Sequence, residues 1–299
     1  MEILICVFFA GLIIFHLLER VAPIKTHYRS GPKRRGYWAD LTATLVDGPV
    51  LSALIKLAAF WLVMRAPDVY GWMGEWPWAL QFTAFFLFND FGRYWLHRWH
   101  HEIGWLWRIH RVHHTVVEMD ALSVFRVHVL EGLIKYGLMV LPFRFIGIDD
   151  SVIIVYSSVD ILKGFWHHAN LRTSIGRLNY IFNSAELHWW HHSTEARGQL
   201  ANYGSVLSIW DRLFGTFYFA KGEWPEKIGV EGMEGFPDTY IGQFATFVSR
   251  DEDLARPATS AALENDPSAQ QTRSRPIPAD SAEATESDAQ APDAAPAAT

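Results

Sequence analysis

The chain has 299 residues, 50% hydrophobic and 15% aromatic with 19% charged, against about 25% charged in a typical soluble domain. Its formal charge of −6 belongs to one end: residues 251–299 hold 14 Ala, 6 Pro, 10 acidic and 3 basic residues, a net of −7 without one aromatic. The rest is therefore close to neutral and strongly apolar, which excludes a basic nucleic-acid-binding surface, and the single cysteine, Cys6, excludes a disulfide framework, CxxC motifs and cysteine-held iron–sulfur clusters. The tail has too little apolar surface to offset its ordering entropy and is expected to be disordered. Neither GxGxxG nor GxxxxGK(S/T) occurs, so no nucleotide site is announced.

In chain order, the first apolar run is 3–18, ILICVFFAGLIIFHLL, at the short end of spanning length. A signal peptide is the weaker reading, because no Lys or Arg precedes the run and no A-x-A site follows it. Arg20, Lys25, Arg29, Lys33, Arg34 and Arg35 come after it. By the positive-inside rule they put the N-terminus outside and residues 19–39 in the cytoplasm. A second run, 41–64, contains Asp47 and Lys56, and a third, 76–96, opens on Trp76-Pro77-Trp78, an aromatic cluster suited to a membrane interface. The link 65–75 reads as an external loop. Runs 129–145 and 151–166, joined by Gly147-Ile148-Asp149-Asp150, read as a tight helical hairpin with limbs of roughly 25 Å. A hairpin returns the chain to the face it left. The expected fold is all-α: a polytopic membrane protein with four to five apolar helices and a helical, histidine-rich metal domain facing the cytoplasm.

Twelve of the 14 histidines lie between 97 and 192. His97 and His101 are four apart and share a helix face. His110-x-x-His113-His114 and His188-x-x-His191-His192 repeat one HxxHH pattern, whose i, i+3 and i+4 positions converge on one side of a helix, and His167-His168 lies between them. Imidazole suits iron, zinc, copper and nickel, and the array has no thiolate to select a softer metal. Nine histidines exceed the needs of one ion, so two metals fit better. A plain polar belt at the membrane interface explains a lone histidine but not this spacing. HExxH is absent, since Trp105 follows His101-Glu102 where a histidine is required. Asp90-Phe91-Gly92 lacks the other kinase strings, and no GxSxG elbow exists.

The series from Asp90-Phe91-Gly92-Arg93-Tyr94-Trp95-Leu96-His97 to His101-Glu102, then His110-x-x-His113-His114-Thr115, His168, and His188-x-x-His191-His192, resembles the fatty acid hydroxylase/sterol desaturase superfamily. So does the closing Asn202-Tyr203-Gly204 and Trp210-Asp211-Arg212-Leu213-Phe214-Gly215-Thr216. The spacing is nearest the alkylglycerol monooxygenase and C-5 sterol desaturase branches, although Asn170 stands where the alkylglycerol branch carries an acidic residue. The resemblance covers about 84–218. It implies a membrane-embedded helical enzyme whose two iron ions, with zinc as their substitute in preparations, activate O2 against a C–H bond of a lipid or sterol-like substrate. Hydroxylation and desaturation both follow from that chemistry.

The expected metal ligands are His97, His101, His110, His113, His114, His168, His188, His191 and His192. Asp90, Glu102, His100, His167 and Asn170 are expected beside them, holding ligands in orientation. Arg126, His128 and Glu131 are candidates for the substrate mouth, and Asn202, Tyr203, Trp210 and Asp211 for locking the last histidine helix. His16 and His27 read as structural. No side chain is singled out as a catalytic acid or base. With no haem, flavin or iron–sulfur motif, the electrons are expected from a separate ferredoxin, cytochrome or reductase. The expected organisation is transmembrane helices in 1–83, a dimetal domain in 84–220, an extension in 221–250 and the acidic tail in 251–299. The competing class is a non-catalytic membrane protein that binds metal or haem for transport or electron transfer, but transporters place their ligands near mid-membrane.

Overall fold

The structure, a computed structural model, describes residues 2–28, 31–65, 71–233 and 235–247. The acidic tail lies outside them. Eleven α-helices follow one another among the described residues. In chain order these are α1 Glu2–Val21, α2 Tyr37–Arg65, α3 Trp78–Glu102, α4 Gly104–His114, α5 Val129–Met139, α6 Leu141–Phe145, α7 Asp150–His168, α8 Ala185–His191, α9 Ala196–Gln199, α10 Ile209–Leu213 and α11 Tyr240–Ala245. No strand forms among those residues; Phe182 with Leu207 and Ser193 with Ile228 make isolated bridges. The all-α expectation holds.

The apolar runs become helices, but only α1 is long and apolar enough to cross a membrane by length and composition among the described residues. Only 11% of its apolar window is buried. An apolar surface that large left open suits a hydrocarbon solvent better than water. The expected hairpin needs one correction. Its first limb is not a single helix: α5 ends at Met139 and α6 begins at Leu141, with Pro142 in its first turn. Proline has no N–H to continue the preceding helix and is accommodated only where a new one starts. At the tip, Gly147 has φ 82°. A Cβ there would lie 2.4 Å from the Cα of Gly71, so the close crossing of the two loops needs glycine.

Two apolar cores flank the centre. Phe85 of α3 meets Phe143 of α6 and Tyr156 of α7 edge-on, with ring centroids 5.0 and 5.1 Å apart. Phe8 of α1 packs on Phe125 and Phe165. A Cβ at Gly11 would sit 2.9 Å from Leu162, so α1 lies directly on α7. Complete burial of Phe85 and Phe165 stabilises by about 1.5–3 kcal/mol each. The second core holds the end of α7 where His168 lies, and the first fixes the opposite ends of α3 and α7 against each other.

Candidate metal centre

α3 continues through His97 and His101, and the chain turns at Ile103 into α4, which lays His110 and His114 against them. α7 ends on His168, and α8 supplies His188 and His191, with His192 following. The nine expected ligands gather in two sets. His97, His101, His110, His114 and His191 form one; His113, His168, His188 and His192 form the other, and in each the potential ligand atoms lie within 4.8 Å of one another. The sets adjoin, with the rings of His114 and His192 stacked at 4.4 Å.

Each HxxHH divides between the sets instead of converging on one point. Residues turn by about 100° along a helix, so i and i+4 lie about 40° apart while i+3 falls about 60° to the other side. His110 and His114 accordingly enter the first set and His113 the second. In α8 the arrangement is reversed: His188 and His192 enter the second set and His191 the first.

Ring orientation is fixed from outside the sets. His97 Nδ1 donates to the Tyr203 carbonyl at 2.9 Å, His191 Nδ1 to the Ala201 carbonyl at 2.7 Å and His113 Nδ1 to the Arg126 carbonyl at 3.1 Å. His110 Nδ1 faces the Glu131 carboxylate at 3.0 Å. The Ser123 hydroxyl gives its proton to the Asp120 carbonyl, so it accepts from His168 Nδ1 at 3.0 Å. These acceptors set the proton on Nδ1 and leave the Nε2 lone pairs pointing inward.

The inward lone pairs are the test of fit. His97 Nε2 and His110 Nε2 are 3.1 Å apart, His110 and His114 Nε2 3.2 Å, and His168 and His188 Nε2 2.9 Å. Lone pairs of His97 and His110 aimed at each other across that distance repel unless they share a cation. Both ring nitrogens of His101 and of His192, with His114 Nδ1 and His191 Nε2, are buried with no partner among the described residues. Each such orphan costs about 1–3 kcal/mol when left unsatisfied. Burial also pushes His113 and His191 down to about 3, so both stay neutral, the form that coordinates a metal. Metal binding fits this arrangement.

The fatty acid hydroxylase family model matches residues 82–216. The ornithine lipid hydroxylase OlsE of Rhizobium tropici is 31% identical over 235 residues, 76% of this chain and 70% of that protein. The chain belongs to the fatty acid hydroxylase family. The alkylglycerol monooxygenase of Homo sapiens is 34% identical over 187 residues, 60% of this chain but only 41% of that protein. A sterol 5(6)-desaturase of Gibberella zeae is 29% identical over 164 residues, 54% of this chain and 44% of its own. The chain therefore spans less than half of those two relatives. No solved structure matches it. A hydroxylase-type oxidoreductase is the activity that this family supports.

The other expected residues divide in their placement. Glu131 lies against His110, and His167 Nε2 donates to the Asn183 carbonyl with its ring 5.2 Å from that of His188. His100 is buried beside His110, its Nδ1 bound to the Leu96 carbonyl at 2.6 Å, and is in neither set. Asp90 bonds to no histidine among the described residues. Its carboxylate accepts from the backbone N–H of Val206 and Leu207 and from Trp210 Nε1, because its turn of α3 meets that loop. Asp211 does similar work one step nearer: it takes the N–H of Tyr203 and Gly204 at 2.7 and 2.8 Å, holding the carbonyl that His97 uses. Asn202 binds the Leu187 and Tyr218 carbonyls. Glu102 pairs with Arg98 at the surface, and Asn170 joins Lys25 to Glu19.

A cavity of about 400 Å³ opens beside the histidines, lined by His128 and Glu131 among others. Arg126 is not in its wall, contrary to expectation. Its guanidinium turns to buried Asp40, with Nε and Oδ1 2.8 Å apart, because an uncompensated buried carboxylate would cost more than a charge left at a cavity mouth. Sequence reasoning missed Ser123, the carbonyls that orient the rings, and four charged residues in the cavity wall: Arg93, Lys135, Asp160 and Lys163. One signal was present. Arg93 precedes His97 by four residues and Lys163 precedes His167 by four, so each shares a helix face with a histidine of the array.

Proposed function

We propose that this protein is a membrane-bound oxygenase that holds two iron ions, one per histidine set, and oxidises a C–H bond of a lipid or sterol-like substrate. The observation that carries it is the pair of histidine sets whose inward nitrogens either crowd one another or, at His101, His191 and His192, have no partner among the described residues. His97, His101, His110, His114 and His191 hold one ion, and His113, His168, His188 and His192 the other. Iron bound there supplies O2 activation, with hydroxylation consuming one O2, two electrons and two protons per C–H bond and releasing water; desaturation takes a second hydrogen from the neighbouring carbon.

The chain's own part is placement. Carbonyls, the Ser123 hydroxyl and Glu131 hold the rings of His97, His110, His113, His168 and His191 with their lone pairs inward. Glu131 also brings a carboxylate against a proposed ligand, His110, which balances cationic charge at the site. The cavity between α2, α3, α5 and α7 takes the substrate. Electrons come from a separate donor, in keeping with a chain that has a single, exposed cysteine. Iron and zinc analysis of the purified protein, followed by O2 uptake with a chemical reductant and a membrane lipid extract, tests this directly. Two ions per chain and lipid-dependent O2 uptake are expected; a metal-free protein inert to lipid under iron loading overturns it.

The active site faces the cytoplasm in this reading, with the N-terminus outside, because the basic residues after α1 set its orientation. Cysteine accessibility in intact cells tests that placement. In a Cys6→Ser background, an impermeant thiol reagent added from outside is expected to label Glu75→Cys and to spare Glu195→Cys, three residues beyond His192. Glu75 is exposed and Glu195 half-buried, so outside labelling at 195 would reverse the topology.

A further inference from the structure

The cavity wall has a layer of charge that the oxygenase chemistry does not use. Arg93 on α3, Lys135 on α5 and Lys163 on α7 all line it, together with Asp160. Arg93 NH1 and Lys163 Nζ share one oxygen of that carboxylate, Asp160 Oδ1, at 2.7 and 2.9 Å. Lys163 also donates to Ser205 Oγ at 2.8 Å. Lys135 has neither a hydrogen bond nor an ion pair among the described residues, and it stands within range of both other cations. Three cations thus face one acid. The remaining two carboxylates of the cavity are committed elsewhere: Glu131 to His110 at 3.0 Å, and Asp47 to Tyr240 Oη at 2.5 Å.

The three cations also lie at one level. Arg93 is four residues before His97, Lys163 four before His167, and Lys135 four after Glu131. Four residues advance a helix by about 6 Å. Three different helices therefore each place a positive charge about one turn from the histidine layer, and all three point into the same space. Ionisable side chains in otherwise apolar helices are costly and mark the path of a substrate. Formal charge over the whole wall cancels, three cations against Asp47, Glu131 and Asp160, but the three cations gather around Asp160 alone, and an ammonium with no hydrogen-bond partner among the described residues calls for an anion.

We propose that Arg93, Lys135 and Lys163 form an anion subsite that receives the carboxylate or phosphate of an amphiphilic substrate and thereby selects which carbon lies at the histidine layer. The selection of carbon rests on the oxygenase reading above; the anion subsite does not. A separation of about 6 Å corresponds to roughly five bonds of extended chain, so oxidation falls near the anionic end of the molecule and not at the far end of its tail.

The test uses the full-length protein in a nonionic detergent, with binding of radiolabelled oleate, oleyl alcohol and oleylamine compared at equal micellar mole fraction. Oleate is expected to bind about tenfold tighter than the alcohol, the size of one charge-assisted contact. Lys135→Gln and, separately, Lys163→Gln remove that preference and leave the alcohol's affinity unchanged, Lys135→Glu favours oleylamine, and exposed Lys221→Gln changes nothing. Equal affinity for oleate and alcohol in the unaltered protein overturns the subsite. So does a loss in the Lys135 variants that is accompanied by loss of metal, since that marks general disruption. Inorganic phosphate or acetate binding as tightly as oleate identifies a site for a free anion and overturns the amphiphile. Anion preference without lipid-dependent O2 uptake keeps the subsite and removes the oxygenase reading; O2 uptake on neutral lipids without anion preference does the reverse.

Discussion

Alanine at His101 or at His192 is expected to abolish turnover, yet to remove different ions. Both side chains are buried with neither ring nitrogen partnered among the described residues, and they belong to different sets. Losing an outer partner of a metal-bound histidine costs 10–100-fold in affinity or activity, and losing a ligand itself costs more, because the remaining ligands also lose their geometry. Each single variant should fall from two ions per chain towards one, and the double variant towards none. His16→Ala is the control, since His16 binds Arg20 at 2.9 Å and lies outside both sets. Metal analysis of the four proteins, with O2 uptake on the same preparations, reads the result. Two ions and full turnover in either single variant would sink the assignment. Simultaneous loss of both ions from each would show the sets to be one cooperative unit.

The nine clustered histidines were legible because their spacing is a helix face written into the sequence, and i, i+4 pairs such as His97 and His101 need no tertiary information. How each HxxHH would divide was not legible in that pattern. The 3.6-residue turn places His113 on the flank away from His110, but only the approach of α7 and α8 shows that a second set waits there. The ring-orienting partners were hidden for another reason. The Tyr203, Ala201 and Arg126 acceptors are backbone carbonyls, and every residue has one, so composition marks none of them. Asp90 shares its face with His97 yet serves the loop at 206–210, because helix phase predicts a direction and not what lies two turns away. The break before α6 was written at Pro142 and overlooked beside a continuous apolar run. The cations at 93, 135 and 163 lie on three separate stretches of the chain; only the packing of three helices brings them together.

Asp40→Ala should destabilise the protein by about 3–5 kcal/mol, since removing one partner of a buried ion network leaves uncompensated charge. Asp40 is fully buried and balances two arginines: Arg34 NH2 at 2.6 Å and Arg126 Nε at 2.8 Å. Both arms lead to the second histidine set. Along one, the Arg126 carbonyl holds His113 Nδ1. Along the other, Arg34 pairs with Asp120 at 2.8 Å, Asp120 caps the turn through Ser123, and the Ser123 hydroxyl holds His168 Nδ1. The first set has no such dependence, because His97 and His191 are held from the 201–203 segment and His110 by Glu131. The expected result is a lower thermal midpoint together with selective loss of the ion held by His113, His168, His188 and His192. Asp40→Asn keeps the shape but not the charge and should follow the alanine variant, since Arg126 loses its counter-charge and Arg34 is left with Asp120 alone. An unchanged midpoint in both variants, or equal loss from both sets, would mean that the network does not support the centre in the way its geometry indicates.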